Sequence, residues 1–305
     1  MRIGIIGTGS MGKNHLRVVD SIPELEITCA VDNNDENLNS ACEPYKLEKF
    51  GDYRKIVNMV DSVMISTPTE SHYSIAKYFL ENKKPVLVEK PFTSTVEQAN
   101  ELIKISEENK LPIYVDHLER FNPAIEYIEK IVKRPLFIEV QRLGSFSPRS
   151  LDIDVIMDLM IHDLDIILQW DKSKIKQINS LGVPIISNKI DIANARLEFN
   201  SGLVVNITAS RVSQKKTRKL RIFQKDEYIS LDYKKKRVKT YSISNGEFIE
   251  NIPEIDSTEP LYNFWLNYYK SVKFGKKFNI TAYDARDAIK LAIMISKSIK
   301  NNFEI

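Results

Sequence analysis

The chain has 305 residues, is 43% hydrophobic and 28% charged, and carries a formal net charge of +3. That is ordinary for a soluble globular protein and favours two domains over one, while no apolar run approaches the roughly 20 residues of a membrane span. The small net charge gives no argument for nucleic acid, and the strand-like Ile3-Gly4-Ile5-Ile6 follows Met1-Arg2 too closely for a signal peptide, so a cytoplasmic protein is expected.

In chain order, the first third alternates short apolar runs with helical stretches, which predicts βαβ units and a parallel, doubly wound α/β sheet. Strands are expected at Arg2–Ile6, Glu26–Val31, Asp61–Ser66, Pro85–Glu89 and Pro112–Asp116, with helices at Ser71–Asn82 and Thr95–Asn109. After Phe121 the texture changes. A helix through Val132, a strand over Leu136–Arg142 and a longer helix from Val155 to Trp170 are followed by period-two alternation from Ile190 to Tyr241. Ala193, Ala195, Leu197 and Phe199 fall on one face there, and Asn194, Arg196 and Glu198 on the other. Turn signals at Asn200-Ser201-Gly202 and Lys225-Asp226-Glu227 join such strands as hairpins, so this sheet should be mainly antiparallel. Helices over Pro260–Phe274 and Ala282–Asn301 close the chain.

The expected division is a dinucleotide-binding domain over 1–118 and an α+β domain over 119–305, with the last helix free to pack back on the first domain. The two cysteines, Cys29 and Cys42, do not suggest a disulfide framework. The basic clusters Lys215–Arg221 and Lys234–Arg237 read as solvated faces rather than polyanion sites.

Gly7-Thr8-Gly9-Ser10-Met11-Gly12 follows the first strand and opens a helix, and Asp32 closes the second strand about twenty residues later. Gly7 permits a tight turn, Gly9 lets a pyrophosphate approach the backbone, and Gly12 lets helix and strand pack closely. The anion would rest on the unpaired N–H groups of the helix start. A carboxylate at Asp32 accepts from ribose hydroxyls and repels a 2′-phosphate, and no Arg or Lys lies between residues 32 and 45, which predicts NAD rather than NADP.

Ligands of open α/β sheets lie beyond the carboxyl ends of the strands, where Thr67-Pro68 and Glu89-Lys90 stand. A lysine in that place can donate to, or exchange a proton with, a substrate hydroxyl, and Pro91 disfavours helical geometry at Lys90. A strand-end pair that merely solvates a turn fits this segment equally well. Of the four histidines, His15 is expected to pack in the first helix and His72 to brace the helix beside Thr67-Pro68. In regular α-helix, Asp158, His162 and Asp165 share one face, and a histidine flanked by carboxylates suits a base that removes a hydroxyl proton. A metal site and a satisfied core histidine are the rival readings, although no His-x-x-x-His pair or cysteine cluster accompanies them.

Together, the glycine loop with Asp32, Thr67-Pro68 with His72, Glu89-Lys90-Pro91, and Asp158-x-x-x-His162 with Asp165 resemble the Gfo/Idh/MocA family of sugar and cyclitol oxidoreductases. The resemblance covers essentially the whole chain. It implies a Rossmann domain, a second domain whose open sheet face makes oligomer contacts, and hydride transfer between a hydroxyl-bearing ring carbon and NAD, with no metal. The implied catalytic residues are Lys90, Asp158 and His162. The implied cofactor contacts are Gly7, Thr8, Gly9, Ser10, Met11, Gly12, Asp32, Asn33, Thr67, Pro68, His72, Glu89, Lys90 and His117.

Asp116-His117-Leu-Glu-Arg120-Phe121-Asn122-Pro123, Ser147-Pro148-Arg149 and Asp152-Ile-Asp154-Val resemble more closely the branch that oxidises the 3-hydroxyl of UDP-N-acetylglucosamine ahead of an aminotransferase. That implies a nucleotide-sugar substrate, met by Arg120, Asn122, Arg142, Arg149 and Asp165. The arginines offer forked donors to a diphosphate. A role in surface-glycan or lipid A biosynthesis and a homodimer or homotetramer follow from the same likeness, without a nucleic-acid or membrane partner. Two alternatives stand beside it: a dehydrogenase of a free cyclitol such as myo-inositol, and a regulator that binds NAD without turnover. Met160 departs from the glycine common in the wider family, and Thr69-Glu70 from its asparagine.

Overall fold

The structure is a computed structural model that describes residues 1–146, 153–244 and 246–302. Arg149 and the rest of the Ser147-Pro148-Arg149 stretch lie outside the described residues, as does Asp152. The chain forms two compact units, each discontinuous in sequence: Met1–Phe121 with Glu259–Ile289, and Asn122–Thr258 with Lys290–Ile305.

The first unit is built from β1 (Arg2–Ile6), α1 (Ser10–Asp20), β2 (Glu26–Val31), α2 (Asp35–Cys42), β3 (Glu48–Phe50), β4 (Ser62–Ile65), α3 (Thr69–Glu81), β5 (Val86–Glu89), α4 (Val96–Asn109) and β6 (Ile113–Asp116). The strands form one six-stranded sheet in the order β3-β2-β1-β4-β5-β6, parallel throughout. This order reverses direction between β1 and β4, the switch point at which such sheets open a crevice for a dinucleotide. β4 and β5 are buried along their whole length, as strands covered on both faces must be, and that explains their unbroken apolar runs. The unexpected β3 has only three residues and no buried position, too little pattern to read. Thr95 and Asn34 cap α4 and α2 by accepting from the amides of Gln98 and Asn37. The core of this unit is completed by Leu261, Phe264, Trp265, Tyr268 and Phe278, which return from the far end of the chain.

In the second unit α5 (Pro123–Ile131) and β7 (Pro135–Leu143) precede a π-helical turn over Ile156–Met160 that runs into α6 (Ile161–Trp170). There follow β8 (Ile175–Val183), β9 (Ile192–Phe199), β10 (Val204–Ser210), β11 (Thr217–Gln224), β12 (Glu227–Asp232), β13 (Arg237–Ser244) and β14 (Glu247–Asn251). The chain ends in α7 (Pro260–Phe274) and α8 (Ala282–Asn302), the latter contributing to both units. The eight strands lie in the order β14-β13-β12-β11-β7-β10-β9-β8, antiparallel except for the β10–β7 pair. Both predicted hairpins form, and Asp226, the second residue of the two-residue turn between β11 and β12, is in the left-handed conformation. Among the described residues, no helix is long and apolar enough to cross a membrane.

Candidate active site

The glycine loop is shaped by what cannot fit. Gly7 has φ +88°, and a Cβ there would lie 2.6 Å from the Ser66 carbonyl carbon; a Cβ on Gly12 would lie 2.0 Å from the Gly7 carbonyl oxygen. At Gly9 a Cβ would meet nothing within 4 Å. Gly9 is also the N-cap of α1 and offers no side-chain oxygen to its first amides, so the helix start keeps its N–H groups and positive pole for a ligand. Asp32, half-buried at the end of β2, accepts from the Thr8 amide (2.7 Å), the Thr8 hydroxyl (2.9 Å) and the Asn34 amide (2.9 Å). The carboxylate is thereby oriented in advance beside the loop. An open cradle with an anion-seeking helix start and a fixed carboxylate fits the diphosphate and ribose of NAD. Ser10 and Asn33 are exposed beside it, and Met11 is half-exposed.

Glu89 and Asp116 end the adjacent parallel strands β5 and β6 and stand opposite one another. Both are buried, and His15 from α1 reaches between them: its Nε2 is 3.1 Å from Glu89 Oε1 and 3.7 Å from Asp116 Oδ2. Trp265 donates its indole N–H to His15 Nδ1 at 3.0 Å. An indole nitrogen can only donate, so Nδ1 is an acceptor and the neutral ring carries its hydrogen on Nε2, facing Glu89. The other Glu89 oxygen accepts the Lys90 amide at 3.1 Å. Burial alone would raise the Glu89 pKa, but the His15 hydrogen bond, together with the charges that face it, outweighs burial and holds it below the usual range. Burial and the Glu89 charge push Asp116 well above its ordinary value.

Lys90 is half-buried at the start of the loop, where its peptide bond to Pro91 is cis. His72 ties this loop to the preceding strand end, with Nδ1 2.9 Å from the Pro91 carbonyl oxygen and Nε2 2.8 Å from that of Thr67. Carbonyls only accept, so a neutral ring bonds one of them and an imidazolium bonds both. Burial holds the His72 pKa below its ordinary value, against the pull of both carbonyls and of Glu89. His117 is buried after β6, and Arg120 is buried with a guanidinium nitrogen 3.4 Å from the Asn279 carbonyl oxygen.

In the second unit the face that carries the candidate base is not regular α-helix. Asp158 lies within the π turn, whose wider winding shifts the phase that a 100° step per residue assumes, and such turns recur at functional sites. Asp158 and His162 are half-exposed, whereas Asp165 is buried. Asn122 caps α5 by accepting the Ala124 amide at 3.1 Å. Arg142 from β7 donates to Asp163 through Nε (2.5 Å) and a terminal nitrogen (2.9 Å), and its guanidinium lies over Tyr233. Instead of standing open to a diphosphate, this fork is buried and fixes α6 next to His162. Glu89, at the end of β5, is buried as well. His15, Asp116 and Trp265 were not anticipated as a group, although the matched ends of two adjacent strands were the available signal.

A family model described as an NAD-binding Rossmann-fold oxidoreductase family, Gfo/Idh/MocA, matches residues 1–117. UDP-N-acetylglucosamine 3-dehydrogenase of Acidithiobacillus ferrooxidans is 36% identical over 256 residues, 84% of this chain and 81% of that one. A solved structure of that enzyme superposes with a TM-score of 0.93, covering 99% of this chain and 98% of the other at 30% identity. The scyllo-inositol 2-dehydrogenase (NAD(+)) of Bacillus subtilis is 23% identical over 328 residues, 100% of this chain and 96% of the relative. The doubly wound unit, its cradle and these relatives define an NAD-dependent oxidoreductase. Within that class, the chain belongs to the Gfo/Idh/MocA family.

Proposed function

We propose that the chain oxidises the 3-hydroxyl of UDP-N-acetylglucosamine to a ketone, in the cytoplasm. The likeness to the Acidithiobacillus ferrooxidans enzyme along most of both chains carries this reading, and the presence of Lys90, Asp158 and His162 in the sequence supports it. Bound NAD, held by the Gly7–Gly12 loop and Asp32, supplies the hydride acceptor. Lys90, its amide anchored on Glu89, donates to the substrate oxygen as negative charge builds there. His162, oriented by Asp158, receives the hydroxyl proton, with Lys90 as the competing acceptor. Arg120 and Arg149 are assigned to the diphosphate, and Asn122 and Asp165 to the sugar.

The resulting 3-keto sugar is a substrate for an aminotransferase, which places the reaction in surface-glycan or lipid A synthesis. A homodimer or homotetramer is proposed through the open face of the eight-stranded sheet. NADH formation with UDP-N-acetylglucosamine tests the reading, and Lys90→Met should lower kcat by about 10²-fold or more. Near-normal turnover of Lys90→Met would remove Lys90 from the chemistry. Oxidation of a free cyclitol is the second reading, favoured by the full-length match to the Bacillus subtilis inositol enzyme. A higher kcat/KM on myo-inositol than on the nucleotide sugar would select it. Saturable NAD binding without turnover on any sugar would instead indicate a regulator.

A further inference from the structure

We infer that Glu89 is the positioning residue of Lys90, and that His15 and Asp116 keep it an anion by holding the cluster's one acid proton on Asp116. This rests on the role given to Lys90 above. Glu89, Asp116 and His15 place one ligating atom each within 4.8 Å of one another, all buried. Two carboxylates so close cannot both be ionised without a compensating cation. His15 is not that cation, because Trp265 occupies the Nδ1 lone pair and leaves a neutral ring. Lys90, the cation that bears on both carboxyls, balances a single anion, so one carboxyl keeps a proton. Glu89 accepts two N–H groups, from His15 and Lys90, whereas neither Asp116 oxygen has a hydrogen-bond partner among the described residues. Accepted hydrogen bonds stabilise a carboxylate, so the charge belongs to Glu89 and the proton to Asp116.

The remaining charged and titratable groups that bear on Glu89 are Lys90 beside it and His72 on α3. A fixed anion one residue before the lysine clamps the Lys90 amide and draws its ammonium toward the strand end. A bound metal is the rival use of the same trio. It requires a lone pair on His15 Nε2, the nitrogen that here carries hydrogen.

Infrared spectroscopy reads the proton directly and needs no turnover. At neutral pH a protonated-carboxyl C=O band is expected in the wild type and absent in Asp116→Asn. A band that survives Asp116→Asn, or no band in the wild type, would overturn the proton assignment. In the NADH assay Glu89→Gln should lower kcat by about tenfold or more with the sugar KM little changed, Asp116→Asn should stay within about threefold, and Glu89→Asp should recover part of the loss. Wild-type kcat in a folded, NAD-binding Glu89→Gln would remove the positioning role. A rise in Tm on adding Zn²⁺ alone, lost in Asp116→Asn, would favour the metal. If Lys90→Met kept full turnover while the band behaved as expected, the Lys90 chemistry would fail and the proton assignment would stand.

Discussion

Gly9 and Gly12 stand in one loop with opposite tolerances for a methyl group. A Cβ at Gly12 would press on backbone, the Gly7 carbonyl at 2.0 Å, and no rotamer change relieves that. Gly12→Ala should therefore cost about 2–4 kcal/mol of stability, read as a fall in Tm. Gly9→Ala meets no protein atom within 4 Å, so Tm should hold. Its methyl would instead occupy the space reserved for the pyrophosphate, and the Kd for NADH, measured by fluorescence titration, should rise at least about tenfold. A Gly9→Ala protein with unaltered NADH affinity would mean that the cradle holds something else. His72 gives a pH dependence of definite sign. Burial lowers its pKa in the folded state, so the unfolded chain takes the proton first, and stability declines as pH falls through the ordinary histidine value of about 6.5. Replacing His72 with Gln should flatten that part of a Tm-against-pH curve.

Among elements, the β8–β9 connection is held by one carboxylate. Asp191 accepts the amides of Ile185 and Ile186 (both 2.7 Å) and Ser187 (3.0 Å), and pairs with the buried Arg211 at 2.8 Å. Arg211 also donates to the Ile153 carbonyl oxygen, at the entry to the helix that carries His162. Burial alone would raise the Asp191 pKa, but the amides, Ser187 and Arg211 outweigh it and hold the carboxyl far below the usual range. Asp191→Ala removes the acceptor of three loop amides and the carboxylate that faces the buried Arg211, so a loss of about 3–5 kcal/mol is expected in urea unfolding, well above that of an exposed ion pair. The sequence carried no sign of this anchor, because a single aspartate in a loop has no period. Periodic segments were legible: the alternation read in Ile192–Phe199 and Val204–Ser210 matches the observed burial except at Ser210, which is buried. β14 has no buried residue and so left no alternation to find. The π turn was missed because its extra winding depends on packing, while the residues within it suit an α-helix.

At the scale of the whole molecule, sequence pattern shows which face of a helix is apolar but not which partner receives it. Trp265 lies 250 residues from the His15 it orients, so the cluster behind Lys90 could not be read from local spacing, whereas the glycine loop and the strand-end lysine could. The second sheet leaves a similar ambiguity at its surface. Its inner face is filled by apolar side chains, and its outer face carries a row of rings across five strands, Phe137, Phe223, Tyr228, Tyr241 and Phe248, with neighbouring centroids 4.8–5.6 Å apart. Phe248 and the nearby Ile243 are 71% and 69% exposed. A continuous apolar row on a monomer's surface is costly in water, and a second copy of the chain is the partner that the proposed homo-oligomer supplies. Sedimentation velocity at micromolar concentration should show a dimer or tetramer. Tyr241→Glu with Phe248→Glu should weaken association at least about tenfold with Tm nearly unchanged, because these positions face outward and polar substitutions there leave the core intact. A wild type that sediments as a monomer would sink this assignment of the face, as would a double variant that stays fully associated.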